Sequence, residues 1–113
     1  MSRDYADYVV DLLSPWARVT AKAMFGGFGL YRQGQIFAII VNDTLYFKVG
    51  DSNRPDYETA SSSPFTYEAK GKKIVMSYWQ VPEEILEDSE SLGVWAEKAF
   101  KAALAGGIAK KKK

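Results

Sequence analysis

The sequence contains neither cysteine nor histidine. Without cysteine there is no disulfide, no thiol redox chemistry and no thiol nucleophile. A zinc site loses its usual ligands when both residues are missing. Histidine-based acid–base catalysis and a Ser-His-Asp triad are excluded outright. The acidic residues form no compact cluster, so neither a carboxylate-only magnesium site nor any other metal or cofactor is expected. No apolar run approaches the roughly 18 residues of a membrane-spanning helix. The opening residues Met1 to Asp7 carry charges and lack the apolar region of a secretory signal. A cytoplasmic protein with no membrane segment is expected, and not an enzyme.

What is present suits one domain. The 113 residues are 47% hydrophobic and 26% charged, ordinary values for a globular chain. That length buries roughly two-thirds of the unfolded surface, enough for a core without staples. The net charge is +1, but Lys110 to Lys113 supply four of the 15 basic residues. Residues 1–107 are therefore mildly acidic, and 108–113 form a basic tail expected to be disordered.

The most distinctive stretch is Met24-Phe25-Gly26-Gly27-Phe28-Gly29-Leu30-Tyr31. Glycine inside an apolar run marks a bulge, a bend or a close backbone approach. A phosphate loop does not fit. The dinucleotide fingerprint needs G-x-G-x-x-G between strand and helix, whereas Leu30-Tyr31-Arg32 continues as strand. No lysine followed by Ser or Thr comes after the glycines, so a Walker loop is absent too.

Along the chain, Arg3 to Leu13 read as an amphipathic helix with Tyr5, Tyr8, Val9, Leu12 and Leu13 at helical spacing. Ser14-Pro15 ends it. A three-strand meander follows: about Ala21 to Tyr31, Ile36 to Val41 and Thr44 to Val49. Its turns fall at Gln33-Gly34 and Asn42-Asp43. A short helix spans Arg54 to Ala60, capped by Asp51 or Ser52. Arg54 has the fork to clamp a carboxylate or phosphate, but an ion pair with Asp51 or Glu58 is the plainer reading. Phe65 to Lys70 and Lys72 to Val81 make a second hairpin around Gly71. A helical turn begins at Pro82. The last helix shows a stripe of Leu92, Trp95, Ala96, Ala99, Phe100 and Ala103, with Gly106-Gly107 as its stop. The expected fold is α+β, two-layer, an antiparallel five-stranded sheet with helices in the order α-β-β-β-α-β-β-α.

Several motifs recur together in one family. They are the glycine segment, Leu45-Tyr46-Phe47-Lys48-Val49, Arg54-Pro55, Pro64-Phe65-Thr66-Tyr67, Met76-Ser77-Tyr78-Trp79 and Val81-Pro82-Glu83. In this order they resemble the N-terminal domain of the TfoX/Sxy proteins, bacterial regulators of DNA-uptake competence. The resemblance runs from about Tyr5 to Leu104. It implies the same two-layer fold and a role in competence or transcription regulation. Full-length members add a C-terminal helical domain of helix-hairpin-helix type, so a single-domain member is expected here.

A two-layer domain leaves one sheet face to water, where strands should alternate polar and apolar. Ile36 to Val41 is apolar at every position, so both faces of the central sheet require burial. A homodimer supplies that cover. So does the loop around Ser61 to Phe65, or a long helix. The leading expectation is a non-catalytic domain that binds a regulatory protein partner. The candidate contact residues are Phe25, Gly26, Gly27, Gly29, Tyr31, Phe37, Ile39, Tyr46 and Lys48. The alternative is a nucleic-acid accessory module using Lys70, Lys72 and Lys73 of the second hairpin with Lys110 and Lys111 of the tail. The mildly acidic body counts against it. A third reading is a small-ligand sensor with a pocket under the glycine strand.

Overall fold

Two-residue turns organise the sheet. In the computed structural model, which describes residues 3–24 and 26–112 with side chains through 105, Gln33-Gly34, Asn42-Asp43 and Lys70-Gly71 all take positive φ. That geometry matches the right-handed twist of hairpin strands. A fourth turn uses Gly26, at φ 70°. The strands are β1 (Thr20–Met24), β2 (Gly27–Arg32), β3 (Gln35–Val41), β4 (Thr44–Lys48), β5 (Pro64–Ala69) and β6 (Lys72–Gln80). The helices are α1 (Asp4–Leu13), α2 (Arg54–Thr59), α3 (Glu83–Leu86) and α4 (Ser89–Lys112).

The sheet has six strands, not the expected five, in the order β1-β2-β3-β4-β6-β5. The long first strand divides at Gly26. Met24 pairs with Gly27 and Thr20 with Tyr31, so β1 folds back antiparallel on β2. The element order thus gains a strand, and the short helical turn expected from Pro82 is α3, which the expected order did not count. All neighbouring strands run antiparallel.

The central strand carries a bulge. Leu30 pairs with Ala38 and Tyr31 with Ile36, which leaves Phe37 without a partner on β2. One extra residue interrupts the alternation of faces. Phe37 and Ala38 are both fully buried in the core beneath the helices, followed there by Ile40. Ile39 and Val41 take the opposite face, Ile39 opposite Gly29 and Tyr46.

The core fills the space between that sheet and the helices. From α1 it receives Ala6, Val9 and Leu13. Tyr8, expected on the buried stripe, is instead 49% exposed. From α4 it receives Leu92, Ala96, Ala99, Phe100 and Ala103, and the alanines let the helix lie close to the strands. Phe37 packs edge-on against Trp16 and Phe100, with ring centroids 5.4 and 6.3 Å away. The stop expected at Gly106-Gly107 is not observed, since α4 runs through both. Glycine weakens a helix but ends it only where the chain turns left-handed.

Two polar arrangements pin the layers together. Asn53, 1% exposed, accepts a hydrogen bond from the Gly50 N–H through Oδ1 and donates through Nδ2 to the Lys48 carbonyl. It ties the end of β4 to the start of α2, where the sequence suggested Asp51 or Ser52 as cap. Asp51 instead pairs with Arg54. The Arg32 guanidinium lies between the rings of Trp16 and Phe100, 4.8 and 4.7 Å from their centroids. Glu97 accepts hydrogen bonds from Trp16 Nε1 at 2.9 Å and Arg32 Nη1 at 3.2 Å. The Trp16 bond, aided by Arg32, holds its carboxyl below the usual carboxylate range.

Candidate functional site: an apolar trough on the helix-free sheet face

The far side of the sheet forms a trough of about 530 Å³. Its walls are Met24 from β1, Gly27 and Phe28 from β2, Ile39, Ile40 and Val41 from β3, Phe65 and Tyr67 from β5, and Met76 from β6, with Phe28 and Ile40 reaching it from the core. Met24 and Phe65 belong to opposite edge strands of the sheet. They line one cavity only because the twisted sheet curls. No helix residue and no charged residue lines the trough.

Each wall is built by strand alternation. Tyr46 faces this side from β4, and its ring meets Phe65 edge-on at 5.1 Å. Phe65 stacks on Tyr67 at 6.2 Å, and the rings make an angle of 28°. The result is an aromatic row running from β4 to the β5 edge. Tyr67 is 44% and Met24 38% exposed, so the trough opens to solvent along these two walls.

The glycine segment forms the opposite end. A Cβ on Gly27 would lie 2.1 Å from the Ile40 carbonyl oxygen, so β2 approaches β3 here more closely than any side chain permits. On Gly29 a Cβ would meet Met24 Sδ at 2.8 Å and Ile36 Cδ1 at 2.9 Å. The missing side chain lets Met24 and Ile36 lie across the strand. Gly26 has open space around it and is needed only for its positive φ.

Polar groups sit near the other end of the same face. Lys48 Nζ donates to Ser77 Oγ at 2.6 Å and lies 5.4 Å from the Tyr78 ring centroid. Lys22 Nζ lies over Tyr31 at 5.0 Å. Burial raises the phenol pKa of Tyr46, and burial with the nearby Tyr31 raises that of Tyr78. Both therefore stay neutral at physiological pH.

The sequence-derived contact residues separate under this geometry. Gly27 and Ile39 line the trough, and Gly29, Tyr31, Tyr46 and Lys48 share its sheet face. Gly26 forms the turn at its end. Phe37 does not belong with them. The bulge turns it into the core, where it is fully buried. Phe25 lies outside the described residues. Val41, Phe65 and Met76 were not singled out for contact. The signal for Met76 was that it shares a strand face with Ile74 and Tyr78, alternating with Val75, Ser77 and Trp79, but nothing in the sequence brings β5 and β6 opposite Met24.

Lys70, Lys72 and Lys73 cluster, exposed, at the β5–β6 tip, with Lys70 in the turn and Lys73 opposite Glu68. They do not line the trough. The side chains of Lys110 and Lys111 lie outside the described residues. Among the described residues no group of three or more acidic side chains gathers as metal ligands. None of the described helices is long and apolar enough to cross a membrane.

A search of the curated proteins finds no match. The family model described as the TfoX N-terminal domain matches residues 11–103 of the 113. This span includes the glycine turn, all six strands and most of α4, and the chain belongs to the TfoX N-terminal domain family.

Proposed function

We propose that this chain is a non-catalytic regulatory domain that acts by binding a protein partner through the helix-free sheet face. Family membership supports a regulatory, competence-related role. The single observation that carries the binding mode is the trough, an apolar concavity whose rim residues Met24 and Tyr67 are over a third exposed. Contiguous apolar surface of this kind marks interaction sites. Its tyrosines are residue types enriched at interfaces. Lys48 and Lys22 lie on the same sheet face but outside the trough lining.

Affinity capture from native lysate tests the proposal with three proteins. They are the wild type, the double variant Tyr67→Glu/Met76→Glu in the trough wall, and Val94→Glu on the exposed side of α4. The wild type and the Val94 variant are expected to retain the same partner, and the trough variant to lose it. Retention by the trough variant, or no specific partner on the wild type, contradicts the proposal.

A second copy of the chain would meet the same demand for burial, and the proposal includes a symmetric homodimer through this face. Sedimentation equilibrium is expected to give a dimer for the wild type and a monomer for the double variant. A monomeric wild type removes the homodimer and leaves the other partner to be found.

A further inference from the structure

We infer that the trough is also a binding site for a neutral, largely apolar small molecule. Its volume of about 530 Å³ falls within the roughly 300–1,000 Å³ of small-molecule pockets. The cavity is bounded by Phe65 and Tyr67 of β5 on one side and by Met24 and Val41 on the other.

The lining fixes the chemical class. It contains no charged residue, and a buried unpaired charge costs several kcal/mol or more. A carboxylate or ammonium ligand would find no counter-ion within it. The stacked Phe65 and Tyr67 rings present a face for a flat aromatic or a chain of methylenes. Met24 and Met76 flank the cavity with flexible thioethers, which adapt to irregular shapes and make favourable contacts with aromatic rings. The ligand occupies the depth of the trough while a protein partner covers its rim, so occupancy alters the surface that the partner meets. This inference goes beyond partner binding, and its test uses the purified chain with no other protein present.

Two of the three methionines are trough walls, which makes a direct test available. Methyl-carbon-labelled methionine is followed by NMR during titration with N-phenyl-1-naphthylamine, a neutral aromatic probe. The Met24 and Met76 signals are assigned with Met24→Leu and Met76→Leu. The expected result is a saturable shift of both methyls, while the indole N–H signals of Trp16 and Trp95 on the helix side stay in place. The anionic analogue 8-anilinonaphthalene-1-sulfonate is expected to bind at least ten-fold more weakly. No shift at either methyl, or shifts that grow without saturation at methyls and indoles alike, overturns the site. Equal affinity for the two probes overturns the neutral class.

Discussion

Gly26 and Gly27 are adjacent in sequence and serve different ends. Gly26 supplies a positive φ in open space, and Gly27 makes room for the Ile40 carbonyl. Gly26→Ala is expected to cost about 1 kcal/mol, the usual penalty for a side chain in the left-handed region. Gly27→Ala forces a main-chain displacement and is expected to cost about 3 kcal/mol. Urea unfolding of the two variants checks this, and equal costs would contradict the close approach. Glu97 allows a pH prediction. Its pKa is depressed below its ordinary 4.5 in the folded chain, so its contribution is present above that value. The contribution is lost as pH falls through the folded-state pKa. With the carboxylate 40% exposed, it is worth about 1 kcal/mol or less. Thermal unfolding of Glu97→Gln between pH 3 and 7 is expected to show a midpoint lower than wild type at pH 7, with the gap closing towards pH 3. A constant gap would contradict the assignment.

At the scale of elements, β3 decides which face is which. Its run from Ile36 to Val41 is apolar throughout, so sequence gives no cue to the bulge, and Phe37 reads as a neighbour of Ile39. The structure instead sets Phe37 under Trp16 and Phe100. Phe37→Ala is expected to cost about 4 kcal/mol, as for a large core aromatic. Tyr67→Ala on the exposed trough wall is expected to change stability by about 0.5 kcal/mol or less. Chemical denaturation of the two variants checks the contrast, and similar losses would contradict the bulged register. Other elements were plain in the sequence for physical reasons. Gln33-Gly34, Asn42-Asp43 and Lys70-Gly71 carry turn chemistry between apolar runs. Strand β4 alternates cleanly, and the Leu92 to Ala103 stripe keeps helical spacing. The Gly26 turn was hidden because apolar residues flank it on both sides, so the two strands read as one bent strand.

At the scale of the whole molecule, the feature that sequence could not supply is the curl of the sheet. It depends on the twist accumulated across six strands, and it alone brings Phe65 and Tyr67 to the same cavity as Met24. Reading β3 as apolar on both faces pointed to the second face, but not to the cavity formed on it. Charge bears on the competing nucleic-acid reading. Lys110 to Lys113 carry the excess of positive charge, and the rest of the chain repels phosphate on balance. A chain truncated after Ala109 is therefore expected to show no salt-sensitive DNA binding between 50 and 200 mM salt in fluorescence anisotropy. Binding by the truncated chain would shift weight to the Lys70–Lys73 hairpin.

The central proposal is that a protein partner binds at the trough and not at the helix layer. Site-specific photocrosslinking in living cells tests it most directly, with p-benzoylphenylalanine replacing Tyr67 in one protein and Val94 in another. Both positions are about half exposed, at 44% and 50%, on opposite sides of the domain. The account predicts a discrete crosslinked adduct from position 67 and none from position 94. An adduct from position 94 alone, or none from either, would contradict it.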